Sequence, residues 1–504
     1  MAFLGIDIGT SGTKVLLLSS SGQVLATAES PHELLTPKPG WTEQDPEGWW
    51  KATQLATKAV LKKAKFKGDQ VKAIGLSGQM HGSTFLDANG KVLRPALLWN
   101  DQRTAKQCAE IESKAGGRNA LIDMVSNPAL TGFTAPKILW FRENEPKKFE
   151  KCKQVLLPKD YIRFRLTNEY CSEVSDASGT LLLNVKTRSW HSGLISKLGL
   201  DAELLPPVVE SQDITGELTE EAAKLLGLKA GIPVVGGGGD QAAGAVGTGV
   251  VEPGLVSASM GTSGVIFATS SGPQTDPAGR VHTMCHAIPN TWCVFGCMLS
   301  AGGSLQWLRN TLYAEQIKKL KDPGELYPHM IKLAESAPLG AENLFFMPYL
   351  TGERCPHPDP NAKAGFIGLT VRHGLPHMIR ATIEGITFGM REQIMIFREM
   401  GIGIKQVRAG GGGARSQFWR QLQSDMYQAP VVTINVSEGA ALGVAILAAV
   451  GAGAYKSVPE ACKAIIKVKD QSKPEKKAAA FYDAQYRKYG ALYPTLKSTF
   501  PTLA

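Results

Sequence analysis

The chain opens with an apolar block at residues 3–8, broken by one acid, Asp7, and resumes with a second block at residues 15–18. The segment between them, Gly9-Thr10-Ser11-Gly12-Thr13-Lys14, is short, polar and bracketed by glycine, so the blocks read as antiparallel strands around a tight turn. The pattern returns far downstream. Residues 255–260, then Gly261-Thr262-Ser263-Gly264, then residues 265–268 repeat it at an offset of 261 − 9 = 252 positions in a chain of 504. A repeat of that unit at the half-way point predicts two similarly built halves.

Between and after the hairpins, apolar positions three and four apart predict helices over 47–65, 103–115, 135–143, 219–226, 375–398 and 416–427, with an alanine-rich helix after Gly439. Short apolar runs at 71–76, 155–157, 234–235 and 406–409 predict buried strands. The alternation makes the class mixed α/β. Glu252-Pro253-Gly254 breaks the pattern just before the second hairpin, which places the boundary between a first domain, 1–250, and a second, 251–504. Residues 456–504 read as a helical tail without an assigned role.

Composition narrows the class further. With 43% hydrophobic and 20% charged residues the chain has enough apolar material for full-sized cores. The net charge, 55 − 45 = +10, would suit a phosphate-rich partner, but Lys62, Lys63, Lys65, Lys67, Lys473, Lys476 and Lys477 are scattered among acids and apolar residues with no stacking aromatics. That argues against nucleic acid. The eight cysteines form no Cys-x-x-Cys pair, which points to a reducing compartment, the cytoplasm. Cys285, His286, Cys293 and Cys297 cluster in sequence, yet their irregular spacing in apolar runs reads as buried thiols rather than metal ligands. The N-terminus lacks a basic region and carries Asp7, against a secretory signal, and the apolar stretch at 439–455 is too short for a membrane span.

Two common nucleotide motifs, Gly-x-x-x-x-Gly-Lys-Ser/Thr and Gly-x-Gly-x-x-Gly, are absent. The two Gly-Thr-Ser-Gly loops are alternative phosphate clamps, because glycine lets backbone amides approach an anion and hydroxyls add donors; each is also a plain hairpin turn. Asp7, an acid in an apolar strand beside the first loop, suits a water-mediated magnesium role or a carboxylate satisfied by turn amides. Asp240 follows four glycines, 236–239, at a helix start, where it is either an N-cap or a proton acceptor for phosphoryl transfer. Gly410 to Gly413, then Ala414-Arg415-Ser416, joins a strand to a helix and suits either a nucleotide or close packing. Gly78-Gln79-Met80-His81-Gly82 and Trp99-Asn100-Asp101 offer polar and aromatic groups of the kind polyhydroxylated ligands use, or simply core residues.

In this order the sequence resembles the FGGY family of carbohydrate kinases. The segments that carry the resemblance include Gly5-Ile6-Asp7-Ile8-Gly9-Thr10-Ser11-Gly12, Trp41-Thr42-Glu43-Gln44-Asp45-Pro46, Gly78-Gln79-Met80-His81-Gly82 and Leu98-Trp99-Asn100-Asp101. They continue through Gly132-Phe133-Thr134-Ala135-Pro136-Lys137, Leu157-Pro158-Lys159-Asp160-Tyr161, Gly237-Gly238-Gly239-Asp240, Gly261-Thr262-Ser263-Gly264, Gly352-Glu353-Arg354 and Gly411-Gly412-Gly413-Ala414-Arg415-Ser416.

The resemblance implies two actin-like (ribonuclease H-like) domains with an ATP cleft between them, and transfer of the γ-phosphoryl group of MgATP to the 5-hydroxyl of D-xylulose. It implies Asp240 as catalytic base, Asp7 as a catalytic carboxylate supporting the phosphates and, through water, Mg²⁺, and Gln79, Met80, His81, Trp99 and Asp240 around the sugar. Thr10, Ser11, Gly12, Thr13, Gly261, Thr262, Gly411, Gly412, Gly413 and Ser416 would meet the nucleotide. Glycerol kinases carry an Arg-Glu pair where this chain has Met80-His81, which disfavours glycerol, and Gln241 stands where similar members usually have asparagine. The alternatives are another pentulose as acceptor, or an actin-like ATP switch without sugar chemistry, which would not need the Met80-His81 lip. A homodimer is among the assemblies left open.

Overall fold

A computed structural model of the chain describes residues 1–503. Two seven-stranded sheets organise it. The first runs Ile214–Glu217, Pro233–Val235, Val71–Gly78, Ala2–Ile8, Gly12–Ser19, Val24–Pro31, with Gly238–Gly239 also paired to Val71–Gly78. The second runs His282–Cys285, Trp292–Met298, Gly264–Ser270, Leu255–Met260, Gln406–Gly411, Val431–Ile434, Val468–Ser472.

The two sheets share a plan. Ala2–Ile8 lies antiparallel to Gly12–Ser19 and parallel to Val71–Gly78, as Leu255–Met260 lies antiparallel to Gly264–Ser270 and parallel to Gln406–Gly411. Both expected hairpins form; in the first sheet Ala2–Ile8 and Val71–Gly78 are buried on nearly every residue of both faces, whereas Leu255–Met260 in the second alternates buried with half-buried or exposed positions. The predicted helices appear as Pro46–Ala64, Ala105–Ala115, Thr134–Asn144, Glu220–Leu226, Leu375–Glu399, Gln417–Tyr427 and Gly439–Gly451. Thr219 and Ser416, placed inside helices by periodicity, are N-caps whose hydroxyls accept from Ala222 and Trp419 amides.

The halves interlock. Gly439–Gly451 comes from the second half, yet it packs on the first sheet in a shared core with Phe3, Leu16, Ala73 and Val235. The approach is close enough that a Cβ on Gly5 would stand 2.0 Å from the Ala441 carbonyl oxygen, and one on Gly75 2.0 Å from that of Val444. Substitution at either glycine must push the helix off the sheet.

The tail has a structural part. Val468–Ser472 pairs with Val431–Ile434 at the edge of the second sheet. The helix Lys476–Leu496 then lays Tyr482 into the core, where its hydroxyl accepts from Arg380 (3.0 Å) and donates to Glu384 (2.8 Å). Among the described residues, no helix is long and apolar enough to cross a membrane.

Candidate active site

Three strands bring the acids together. Asp7 is one residue from the end of Ala2–Ile8, opposite Lys14 on one neighbour and Ser77 on the other, and Ser77 in turn pairs with Gly238. The chain then turns at Gly239, the N-cap, into the helix Asp240–Thr248. Asp240 therefore lies at the same sheet edge as Asp7. It makes no capping bond, and its carboxylate accepts only from Gln241 Nε2 at 3.3 Å. The N-cap role belongs to Gly239, which leaves the Asp240 oxygens free for a ligand.

Burial, then the neighbouring charge of Asp7, pushes Asp240 up to about 7, against the opposing pull of Gln241. Asp7 is pushed up to about 6 by burial, with the Ser77 hydroxyl and the Lys14 charge working against it. Its Oδ1 is buried without a hydrogen-bond partner. Two carboxylates that repel each other in one site are suited to holding or accepting a proton near neutral pH. Lys14 is itself paired with Glu438, at the start of the helix from the second half.

The residues expected to line a sugar divide into two kinds. Met80 packs against the glycine floor, where a Cβ on Gly239 would meet its Cγ at 3.0 Å. His81 adopts a left-handed backbone (φ 68°), held there by Lys137 and Thr134, which donate to its carbonyl at 2.9 and 3.1 Å. Burial drops the His81 imidazole to about 3, so it is neutral, and its Nδ1 lies 2.7 Å from the Gly179 carbonyl. A carbonyl only accepts, so Nδ1 carries the proton and Nε2 is left as an acceptor for a hydroxyl.

Gln79 instead braces the first loop. Its Oε1 accepts from the Thr10 hydroxyl at 3.2 Å, and its Nε2 donates to Gln44 Oε1 at 2.8 Å, while Gln44 Nε2 donates to the Thr10 carbonyl at 2.7 Å. Trp99 Nε1 also donates to Thr10 Oγ1 at 3.0 Å, leaving a ring 37% exposed. Thr10 is thus held on three sides. Thr13 is fully buried with its hydroxyl 2.8 Å from His32 Nε2, whereas Ser11 is exposed and Gly12 is buried in the strand. These three do not share one ligand-facing surface.

The second loop opens on a cavity of about 710 Å³ lined by Gly261, Thr262, Gly412, Gly413 and Ser416. Gly411 stays in the strand, paired with Met260, and is outside that lining. The N-terminus of Gly302–Leu312 closes on the loop, with Gly302 and Gly303 amides donating to the carbonyls of Gly261 (2.9 Å) and Thr262 (3.0 Å). Sequence reasoning missed the opposite wall, Gln306, Tyr327, Ile331 and Lys332, on the helices Gly302–Leu312 and Leu326–Ser336. A helical period in 326–336 was the available signal, and no motif marked it.

Sequence also gave no role to Lys159. It lies fully buried among Asp160 (2.5 Å), Glu173 (3.5 Å) and Asp176 (3.5 Å). From this ionic core, Arg163 donates to the Gly236 carbonyl at 2.5 Å, and Ser175 Oγ accepts from the Gly239 amide at 3.1 Å. Both ends of the glycine floor are therefore pinned beneath Asp240. The Cys285 and Cys293 thiols face the carbonyls of Val185 (3.6 Å) and Met284 (3.5 Å), and His286 Nε2 lies 3.0 Å from that of Val250.

Two family models cover this architecture: the N-terminal domain of the FGGY family of carbohydrate kinases matches residues 2–247, and its C-terminal domain matches residues 256–452. The chain is 41% identical over 500 residues to a xylulose kinase of Escherichia coli (strain K12), covering 98% of this chain and 99% of that one. It is 38% identical to a xylulose kinase of Bacillus subtilis (strain 168), covering 99% and 96%. The crystal structure of a xylulose kinase from Rhodospirillum rubrum superposes with a TM-score of 0.92 at 29% identity, covering 99% of this chain and all of that one.

Proposed function

The chain belongs to the FGGY family of carbohydrate kinases, and from that premise we infer an ATP-dependent kinase that converts D-xylulose to D-xylulose 5-phosphate. The observation that carries the chemistry is Asp240: a carboxylate at a helix start, without a capping bond, raised to about 7 beside the Met80–His81 lip. A base of that strength is matched to neutral pH. Asp240 Oδ takes the proton of the 5-hydroxyl as that oxygen attacks the γ-phosphorus, and the bond from phosphorus to the β-bridging oxygen breaks to release ADP.

The nucleotide lies in the cavity under Thr262, Gly412 and Gly413, and the sugar lies against Met80, His81 and the exposed face of Trp99. Neutral His81 accepts from a sugar hydroxyl through Nε2. The unpartnered Asp7 Oδ1 fits a hydrated divalent cation, Mg²⁺ being the ion that accompanies ATP. When bound, that ion neutralises charge on the phosphates. Asp7 would hold the cation through its water, and its charge keeps Asp240 basic by repulsion. Eight free cysteines, none disulfide-bonded, suit a reducing cytoplasmic setting.

The direct test is ADP release with MgATP against D-xylulose, D-ribulose, L-ribulose, glycerol and gluconate, with Asp240→Asn as control. Turnover on D-xylulose well above the others, lost in the variant, is the expected result. Turnover on none of them contradicts the sugar-kinase reading.

A further inference from the structure

Behind the sugar lip lies a second cavity, of about 400 Å³, that belongs neither to the nucleotide pocket nor to the glycine floor. One ring separates it from the lip. Phe133 meets His81 edge to face at 4.8 Å and His282, which lines the cavity, edge to face at 5.7 Å.

The walls are cationic. Arg118, Arg280 and Arg354 all line the cavity, and no aspartate or glutamate does so among the described residues. Arg280 is neutralised outside it by Asp276 (3.0 Å) and Glu399 (3.1 Å), and Arg118 reaches Glu112 only at 3.4 Å. The Arg354 guanidinium has no ion pair or hydrogen bond among the described residues; only its backbone amide is engaged, donating to Glu353 Oε1 at 2.7 Å. Glu353 also accepts from the Leu299 amide at 2.9 Å, so the loop that presents Arg354 is fixed. His282 Nδ1 is buried and unpartnered at the same wall. Arginine presents a planar fork that matches phosphate oxygens, and a partly buried, unpaired guanidinium is costly without an anion.

We propose that this cavity is an anion site that takes the phosphate group of a small phosphate monoester or of inorganic phosphate. Arg354 is the principal ligand and Arg118 a second. Arg118 and Leu130 come from the first half of the chain and Arg280, His282 and Arg354 from the second, so an anion here also ties the halves together. Because Phe133 packs between His81 of the lip and His282 of the cavity wall, an anion that shifts His282 would change sugar affinity, and sugar would change phosphate affinity by the same factor.

The test is calorimetric titration of the full chain at low ionic strength, with the nucleotide cavity saturated by Mg²⁺ and a non-hydrolysable ATP analogue. Inorganic phosphate and ribose 5-phosphate are the two probes. The expected result is one saturable equivalent, weakened about tenfold or more in Arg354→Gln and in Arg118→Gln, and partly restored in Arg354→Lys. Tighter binding of the ester assigns an organic phosphate as ligand, and equal binding assigns inorganic phosphate. Thermal melts of the same variants separate lost binding from lost folding. No saturable binding to the wild-type chain, or binding unchanged in folded Arg354→Gln and Arg118→Gln, overturns the proposal. The readout is binding rather than turnover, so its failure leaves the kinase reading untouched.

Discussion

The two Gly-Thr-Ser-Gly loops have the same residues and the same place in two matching sheets, yet their surroundings differ. The first closes with the Gly9 amide donating to the Gly12 carbonyl (3.0 Å), and the second one residue tighter, from Gly261 to Ser263 (2.9 Å). Thr10 is bound by Gln44, Gln79 and Trp99, whereas Thr262 lines an open cavity capped by a helix N-terminus. Two residues before the loop, the first hairpin carries Asp7 and the second carries Ser259. One hairpin unit thus stands in an acidic, braced setting in the first half and in an open, neutral one in the second, to which the proposed function assigns proton and cation handling and nucleotide binding respectively. Loop sequence sets the turn; the neighbours set its work.

Several substitutions break or sharpen that division. The largest effect is expected for Asp240→Asn, which keeps the shape of the base and removes its proton affinity: kcat should fall about 10³-fold or more with sugar binding retained, measured by ADP release and by calorimetry. Asp7→Ser gives the first hairpin the residue of the second. It should lower kcat about 10²-fold and flatten the divalent-cation titration, and an unchanged titration would contradict the cation role. Thr262→Val acts on the other loop, and should raise the KM for ATP several-fold with the KM for sugar held.

Smaller effects come from titration. With Asp240 raised to about 7, the acid limb of kcat/KM should bend near pH 7, activity rising as the carboxyl ionises. In Asp7→Ser the repelling charge is gone, so in the residual activity that limb should move to lower pH; a shift the other way contradicts the coupling. The same raised value bears on stability. A carboxyl raised in the folded state is tolerated when protonated, so its contribution is full below about pH 4 and lost as pH rises towards about 7. Asp240→Asn should therefore be more stable to thermal unfolding than the wild-type chain at pH 8, by up to roughly 4 kcal/mol, with the gain vanishing near pH 4.

Apolar blocks around the glycine turns revealed the hairpins, helical spacing of apolar residues revealed Leu375–Glu399, and a continuous run of small apolar residues revealed Gly439–Gly451, which is buried on all sides from Ala441 to Val450. It did not reveal that Gly439–Gly451 serves the first sheet, since nothing local in Gly5, Gly75 or Ala441 states which surfaces meet. Asp7, Asp240 and His81 stood out as polar groups in apolar or glycine-rich settings. Gln79 also stood out, but its amide is spent on Thr10 and Gln44, a distinction that only geometry makes. The wall at Tyr327 and Lys332 and the pinning of the floor by Arg163 and Ser175 depend on contacts between distant segments and left no motif.

The most direct test of the divided cleft is single-turnover phosphoryl transfer from MgATP to D-xylulose in the wild-type chain, Asp240→Asn and Asp7→Ser, with sugar and nucleotide affinities measured on the same samples. The expected result is a transfer rate that collapses in both variants while D-xylulose still binds to both and ATP still binds to Asp240→Asn. Transfer at a near wild-type rate in Asp240→Asn would contradict the assignment of Asp240 as the base, and with it the division of labour between the two halves.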